Sequence, residues 1–275
     1  MLNSLDLMYQ SSTPCIDIQD DNVIKLNYMS TSKGNQPKYY NLATKQYIKG
    51  QFSYQGCLWK DYMVEHLSYI IGSKLNTNID IVRQDIVKLS DGTMGCMSKD
   101  FAIGKEWVPI AKFDEYKEVA VLHGKSYRVF LGIIDIYTKL GIDLDLVKEY
   151  LTCMIILDFL LGNEDRHYNN FGVLRDNITG VYEIPPLFDF GLGLFEHDKR
   201  YYNVSLLTAK SSMDGKPFDK DLSKPFDMII NTMGKDYINS LVKDIYIPDR
   251  DLFPNELGYQ YFISSFEYMR GVLEL

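Results

Sequence analysis

The sequence predicts an α+β fold in which a small β-rich lobe, residues 1–101, precedes a larger and mainly helical lobe, residues 102–275. Three observations predict it. Short runs of β-branched and aromatic residues, broken by turn signals, fill the first third. Apolar residues at helical spacing dominate from Lys125 onward. The most distinctive polar stretch, Gly162–Phe171, opens inside the helical part, directly after an apolar helix.

Taken in order, Asn22–Tyr28 and Tyr39–Lys49 read as strands separated by the turn-prone Ser30–Pro37. Leu58–Leu75 carries apolar residues at Leu58, Val64, Leu67, Ile70, Ile71 and Leu75, the stripe of an amphipathic helix. Ile79–Leu89 and Thr93–Lys99 form a hairpin pattern joined at Ser90-Asp91-Gly92. Lys125–Leu140 and Leu144–Leu161 are the clearest helices, with Gly141 placed to end the first and Asp143 to cap the second. Phe171–Leu174 and Val181–Ile184 flank a turn at Asp176–Gly180. Phe195–Phe218 is rich in Ser, Lys and Asp and reads as a long loop. Leu222–Met233, Lys235–Ile245 and Asn255–Leu275 read as closing helices.

A chain of 275 residues that is 46% hydrophobic can bury a sizeable core. The formal net charge of −8 leaves no basic stripe of the kind a nucleic-acid surface needs, so no direct nucleic-acid partner is expected. The 21 tyrosines are spread along an acidic chain and read as core and rim residues. Cys15, Cys57, Cys96 and Cys153 lack paired metal spacing and fit reduced thiols of a cytoplasmic protein. The start, Met-Leu-Asn-Ser-Leu-Asp, lacks a signal-peptide pattern, although secretion as an effector without one stays open. No membrane span is expected: the longest apolar run, around Met154–Leu161, is short and contains Asp158.

The chemistry concentrates in one region. Asp165 and Asn170 lie five positions apart, and Asp189 opens an Asp-Phe-Gly turn further on. Phosphoryl transfer needs such an ordered trio: a carboxylate for the accepting hydroxyl, then an amide oxygen and a second carboxylate for the metal ions. An ordinary polar loop explains an Asp and an Asn but not the ordered third member. Upstream, a turn at Gly34-Asn35-Gln36-Pro37-Lys38 would direct backbone N–H groups at phosphates, though with one glycine a plain β-turn fits those residues as well. Lys45 and Lys49 share one strand, and alternation does not separate them as a phosphate-binding lysine. Glu65 on the next helix would hold that ammonium; two solvated edge lysines and a wet-face glutamate are the competing explanation. His167 reads as structural, since Asp165 already fits the base position. Arg166 would pair with an acidic neighbour or a phosphorylated residue, or else make a surface salt bridge worth under ~1 kcal/mol. Asp158 fits either a buried anchor for the loop or a solvent-edge position.

Together these segments resemble the HipA-like serine/threonine kinases. Gly34–Lys38 is similar to their Gly-x-Gln-Pro-Lys loop, Gly162–Phe171 to their Gly-Asn-x-Asp-Arg-His-x-x-Asn-Phe loop, and Pro186-Leu187-Phe188-Asp189 to their metal-binding segment. The resemblance spans roughly residues 28–245. It implies a bilobal protein-kinase-like fold, ATP and Mg2+ as cofactors and a protein substrate, with an antitoxin-like or regulatory protein as a further partner. It implies Asp165 as catalytic base, and Asn170 and Asp189 as metal ligands. Gly34, Asn35, Gln36, Lys38 and Lys49 would serve the phosphates. Met97-Ser98-Lys99-Asp100-Phe101 matches the interlobe hinge, with Met97, Lys99 and Phe101 beside the adenine. Self-phosphorylation would fall on Ser30, Thr31 or Ser32. About thirty residues precede the loop, where longer HipA proteins carry a subdomain, so the short, stand-alone CtkA-type form is the expectation. Asp-Arg-His-x-x-Asn also occurs in phosphoinositide 3/4-kinases, which keeps a lipid kinase as an alternative. Lys199, Arg200, Lys210, Lys216, Lys220 and Lys224 offer such an enzyme some positive charge. A nucleotide-binding interaction module without turnover is the non-enzymatic alternative.

Overall fold

Strands of two to six residues bury little surface alone, so they gain stability only by pairing and covering one face. The computed structural model describes residues 13–26, 36–51, 53–54, 57–195, 205–206 and 213–274. Ser30, Thr31, Ser32, Gly34, Asn35, Lys199, Arg200 and Lys210 lie outside the described residues. The strands are β1 (Cys15–Ile16), β2 (Val23–Lys25), β3 (Lys38–Asn41), β4 (Gln46–Gly50), β5 (Ser53–Tyr54), β6 (Cys57–Leu58), β7 (Asp85–Leu89) and β8 (Met94–Lys99). Six of them form one sheet in the order β1-β7-β8-β4-β3-β2, and β5 pairs with β6. Only the β1–β7 pair of the large sheet is parallel. Tyr39, Ile48, Val87 and Leu89 form a small buried cluster on this sheet.

The strand expected over Tyr39–Lys49 is two strands. Asn41 breaks it: its Oδ1 accepts from the backbone N–H groups of Ala43 and Thr44, each at 3.0 Å. Lys45 then adopts a left-handed conformation with φ 55°. Likewise Ile79–Leu89 is strand only from Asp85. Ile81 instead bridges in parallel to Leu187, with Val82 N–H donating to Leu187 O at 2.9 Å. That detour ties the small lobe to the segment just before Asp189.

The helix α1 (Asp61–Gly72) carries Val64, Leu67, Ile70 and Ile71 of the expected stripe, but Leu58 pairs in β6 and Leu75 lies past the helix end. A second sheet, β11-β10-β9, joins β9 (Lys105–Pro109) to β10 (Gly172–Asp176) and β11 (Tyr182–Glu183). The hairpin β10–β11 was expected; β9 and the short α2 (Tyr116–Ala120) were not. Helices α3 (Ser126–Lys139) and α4 (Leu144–Leu161) fall where apolar spacing placed them. Asp143 caps α4 by accepting from Asp145 and Leu146 N–H, both at 3.0 Å. The chain closes with α5 (Ser223–Met233), α6 (Lys235–Val242) and α7 (Glu256–Leu273), the last capped by Asn255, which accepts from Gly258 N–H at 2.7 Å. Within the stretch expected as a long loop, residues 213–218 are ordered by turn hydrogen bonds and a bridge between Gly215 and Asp219.

Every residue from Leu151 to Leu161 is buried, which makes α4 the axle of the large lobe. It packs against α1, α3, α5 and α7. Val64, Leu67, Ile71 and Leu75 belong to this same core, so α1 is anchored in the large lobe although its sequence lies within the small one. Among the described residues no helix is long and apolar enough to cross a membrane.

Leu157, fully buried on α4, is expected to cost about 2–5 kcal/mol when changed to Ala, read as a lower urea midpoint at unchanged m-value. Leu131→Ala on the exposed side of α3 is expected to stay within about 0.5 kcal/mol of the parent.

Candidate active site

The loop after α4 starts at Gly162, where the backbone turns left-handed at φ 60°. A Cβ there would lie 2.7 Å from Met213 Cε and 3.0 Å from Tyr261, so only glycine fits. One turn back, Asp158 accepts from Asn163 Nδ2 at 2.7 Å, from Arg166 Nη2 at 2.9 Å and from Arg166 Nε at 3.0 Å. Arg166 Nη1 donates to two carbonyls, Asn170 O at 3.1 Å and Phe188 O at 2.8 Å. Its guanidinium also lies 4.5 Å from the Phe190 ring centre. Arg166 is 1% exposed and Asp158 5% exposed. The pair is therefore an interior anchor, and neither the surface salt bridge nor the solvent-edge position holds. One guanidinium thus pins both the Asn170 end of the loop and the residue before Asp189.

Within the loop, Asn163 Oδ1 accepts from Asp165 N–H at 3.2 Å, and Asn170 Nδ2 donates to Asp165 O at 2.8 Å. That donation orients the Asn170 amide and leaves its Oδ1 buried without a hydrogen-bond partner. Burial pushes the Asp165 carboxyl up; His167 opposes the shift and Asp189 adds to it. His167 has the structural part expected of it, bonding within the loop. It is partly exposed, its Nε2 4.0 Å from Asp165 Oδ2 and its Nδ1 accepting from Asn169 N–H at 3.3 Å.

Lys49 on β4 reaches Glu65 Oε1 at 2.6 Å and Asp189 Oδ1 at 2.9 Å. Glu65 Oε2 accepts from Phe190 N–H at 3.3 Å. Gly191 leaves room for this contact, since a Cβ there would stand 3.3 Å from Glu65 Oε1. Burial by itself would raise the Asp189 carboxyl, but the charge and hydrogen bond of Lys49, with Lys38 and Arg166, hold it down at about 2. Lys49 is driven well above the ordinary lysine range by Asp189 and Glu65, against the effect of burial. Lys38 pairs directly opposite Lys49 in the β3–β4 register and shares its face; burial and the Lys49 charge lower it. Lys45 sits exposed in the turn before β4, away from these groups.

Met97 pairs with Ile48 and Asp85, and the β7–β8 pairing stops there, while β4 stays paired with β8 out to Lys99. Phe101, Trp107 and Phe188 form a half-buried aromatic cluster, with ring centres 5.1 Å apart for Phe101–Phe188 and Trp107–Phe188. Sequence reasoning named Phe101 at the hinge and Phe188 in the segment before Asp189, but gave no sign that Trp107 would bring a third ring beside them. Gln36 is half-buried two residues before β3. Among the described residues no group of three or more His, Cys, Asp or Glu side chains gathers to hold a metal ion.

No protein-family model matches the chain. Over 108 residues it is 31% identical to the serine/threonine-protein kinase CtkA of Helicobacter pylori, and the match covers 35% of this chain. The chain spans only about a third (33%) of the length of that relative. The crystal structure of a Helicobacter pylori proinflammatory kinase CtkA matches with a TM-score of 0.53 at 16% identity, covering 94% of each chain. The chain has the CtkA kinase fold. In this CtkA-like fold Lys49 of the six-stranded sheet is ion-paired to Asp189, whose segment Arg166 ties to the Asp165–Asn170 loop at the end of α4.

Removing the carboxylate in Asp158→Ala leaves the Arg166 charge buried and unpaired, with an expected loss of about 3–5 kcal/mol in chemical denaturation. The Asp189 carboxyl, held at about 2 against an ordinary value near ~3.9, favours the folded state when ionised. Its contribution is present above about pH 4 and is lost as the pH falls toward 2. The stability difference between the parent and Asp189→Asn, followed by denaturation across that window, is expected to shrink as the pH falls.

Proposed function

We propose that this chain is an ATP- and Mg2+-dependent serine/threonine protein kinase of the HipA-like type. The observation that carries the reading is the double tether of Arg166, which holds Asn170 and the Asp189 segment together beside Asp165. The accepting hydroxyl would lose its proton to the Asp165 carboxylate as its oxygen bonds to the γ-phosphorus. The bond from that phosphorus to the bridging oxygen breaks, and its electron pair leaves with ADP. Lys49 and Lys38 would bind the phosphates, and Gly34, Asn35 and Gln36 belong to the same proposed phosphate loop. Nucleotide would take over Lys49 from Asp189. The Phe101–Trp107–Phe188 cluster offers a face for the purine beside Met97 and Lys99.

A divalent cation fits the oxygen donors here, because the buried Asn170 Oδ1 has no other partner and the Asp189 carboxylate stays ionised. When bound, it would offset charge on the phosphates; with so few protein ligands, phosphate and water oxygens would complete its shell. The lobe boundary is proposed at residues 101/102, with α1 shared between the lobes. The acceptor is proposed to be a protein, with self-modification at Ser30, Thr31 or Ser32 and a cytoplasmic site of action. An antitoxin-like or regulatory partner is carried by the resemblance alone.

Asp165→Ala and Asp189→Asn are each expected to abolish phosphate incorporation from labelled ATP, with circular dichroism unchanged. Lys49→Ala is expected chiefly to weaken nucleotide binding by calorimetry. Intact mass after incubation with ATP and Mg2+ is expected to rise by about 80 Da for each phosphoryl group acquired. Unchanged incorporation in the Asp165 variant would remove the assignment.

A further inference from the structure

Residues 213–222 form a braced turn beside the Asp165 loop. Met213, Phe218 and Leu222 are buried beneath it. Ser126 Oγ donates to Asp219 Oδ2 at 2.8 Å, and Gly124 N–H donates to Phe218 O at 3.1 Å. The turn is joined to the loop by Asp214 N–H, which donates to Glu164 Oε1 at 3.0 Å, one residue before Asp165. Lys216 projects from this frame with its side chain 45% exposed, and its ion-pair contact, Asp214 Oδ2, is a loose 3.9 Å away. The other Asp214 oxygen faces His123 Nε2 at 3.7 Å and has no hydrogen-bond partner.

We propose that Lys216 is a further catalytic residue, a second cation that contacts the phosphoryl group in flight from the Asp165 side of the cleft. Lys49 approaches from the sheet, where Glu65 and Asp189 hold it before nucleotide binds, whereas Lys216 stands on a turn hydrogen-bonded to Glu164, the residue before Asp165. As the hydroxyl oxygen bonds to the γ-phosphorus and ADP departs with the bridging electron pair, charge is spread over the three non-bridging γ-oxygens. A flexible ammonium on a rigid turn, weakly held by its own carboxylate, can swing to those oxygens at little cost.

The inference rests on the kinase reading, and the test separates the two. Steady-state kinetics and ATP calorimetry are measured for the parent, Lys216→Met and Lys216→Arg, with thermal unfolding as a check on folding. Lys216→Met is expected to lower kcat about 10- to 100-fold with ATP affinity and KM for ATP unchanged, and Lys216→Arg to recover most of the loss. Parent turnover with an unaltered Lys216→Met kcat overturns this inference alone. So does a loss confined to KM for the protein acceptor, which marks a docking residue, or a parallel fall in ATP affinity. No transfer by the parent protein removes the kinase reading and this inference with it.

Discussion

The buried pair of Asp158 and Arg166 is the interaction on which the geometry of the cleft depends. Taking two charges out of water costs several kcal/mol per ion, and Coulomb attraction offsets this only when the remaining donors and acceptors are filled. Here they are. Asp158 accepts from both Arg166 and Asn163, and Arg166 spends its remaining Nη1 donors on the carbonyls of Asn170 and Phe188. A pair of leucines of similar volume would match it for stability but would direct nothing. The guanidinium fork fixes two backbone segments that are distant in sequence at one separation, which is the property a multi-residue site needs.

A second constraint runs through α1. Its apolar face is part of the large-lobe core, while its Glu65 binds a lysine carried by the small sheet. Lys49 touches Asp189 as well, so one ammonium joins the sheet, the shared helix and the Asp189 turn. The small sheet has only a four-residue buried cluster of its own. Relative movement of the sheet is thus resisted at the cleft by polar contacts, and these exchange with ligand more readily than packed side chains do.

What the sequence revealed follows from how local each signal is. Leu144–Leu161 was legible because its cap, its apolar run and its glycine stop are contiguous, and the Asp165 loop was legible because its residues are clustered. Glu65 was reachable as the lysine partner only as one of two explanations, since no spacing rule links a strand to a following helix. Tyr39–Lys49 was misread because β propensity on both sides outweighed the Asn41 side chain that closes the turn. That same turn removed Lys45 from the strand and so separated the two lysines. Trp107 and Phe188 were invisible as a pair, because β9 is brought against the Asp189 segment by tertiary pairing with β10. The interior position of Arg166 was equally hidden, since arginine is ordinarily a surface residue.

Local rules fail most densely where the chemistry is proposed. Of the five non-glycine residues with positive φ among the described residues, Asp189, Leu194 and Phe195 fall within one seven-residue stretch. Asn170 Oδ1 is buried and unsatisfied in the same region, where water or a donor would ordinarily be found. Each departure costs folding free energy, and an isolated one would be an unexplained defect. Their concentration around one carboxylate, beside an ammonium that balances it, is the pattern of a site preorganised for charged oxygen ligands. The strain is tolerable because the surroundings are rigid: Leu194 N–H is tied to Leu161 O at 2.7 Å, at the very end of the buried helix. The α4 core therefore supports this segment directly, holding an unfavourable backbone in place beside the Asp189 carboxylate.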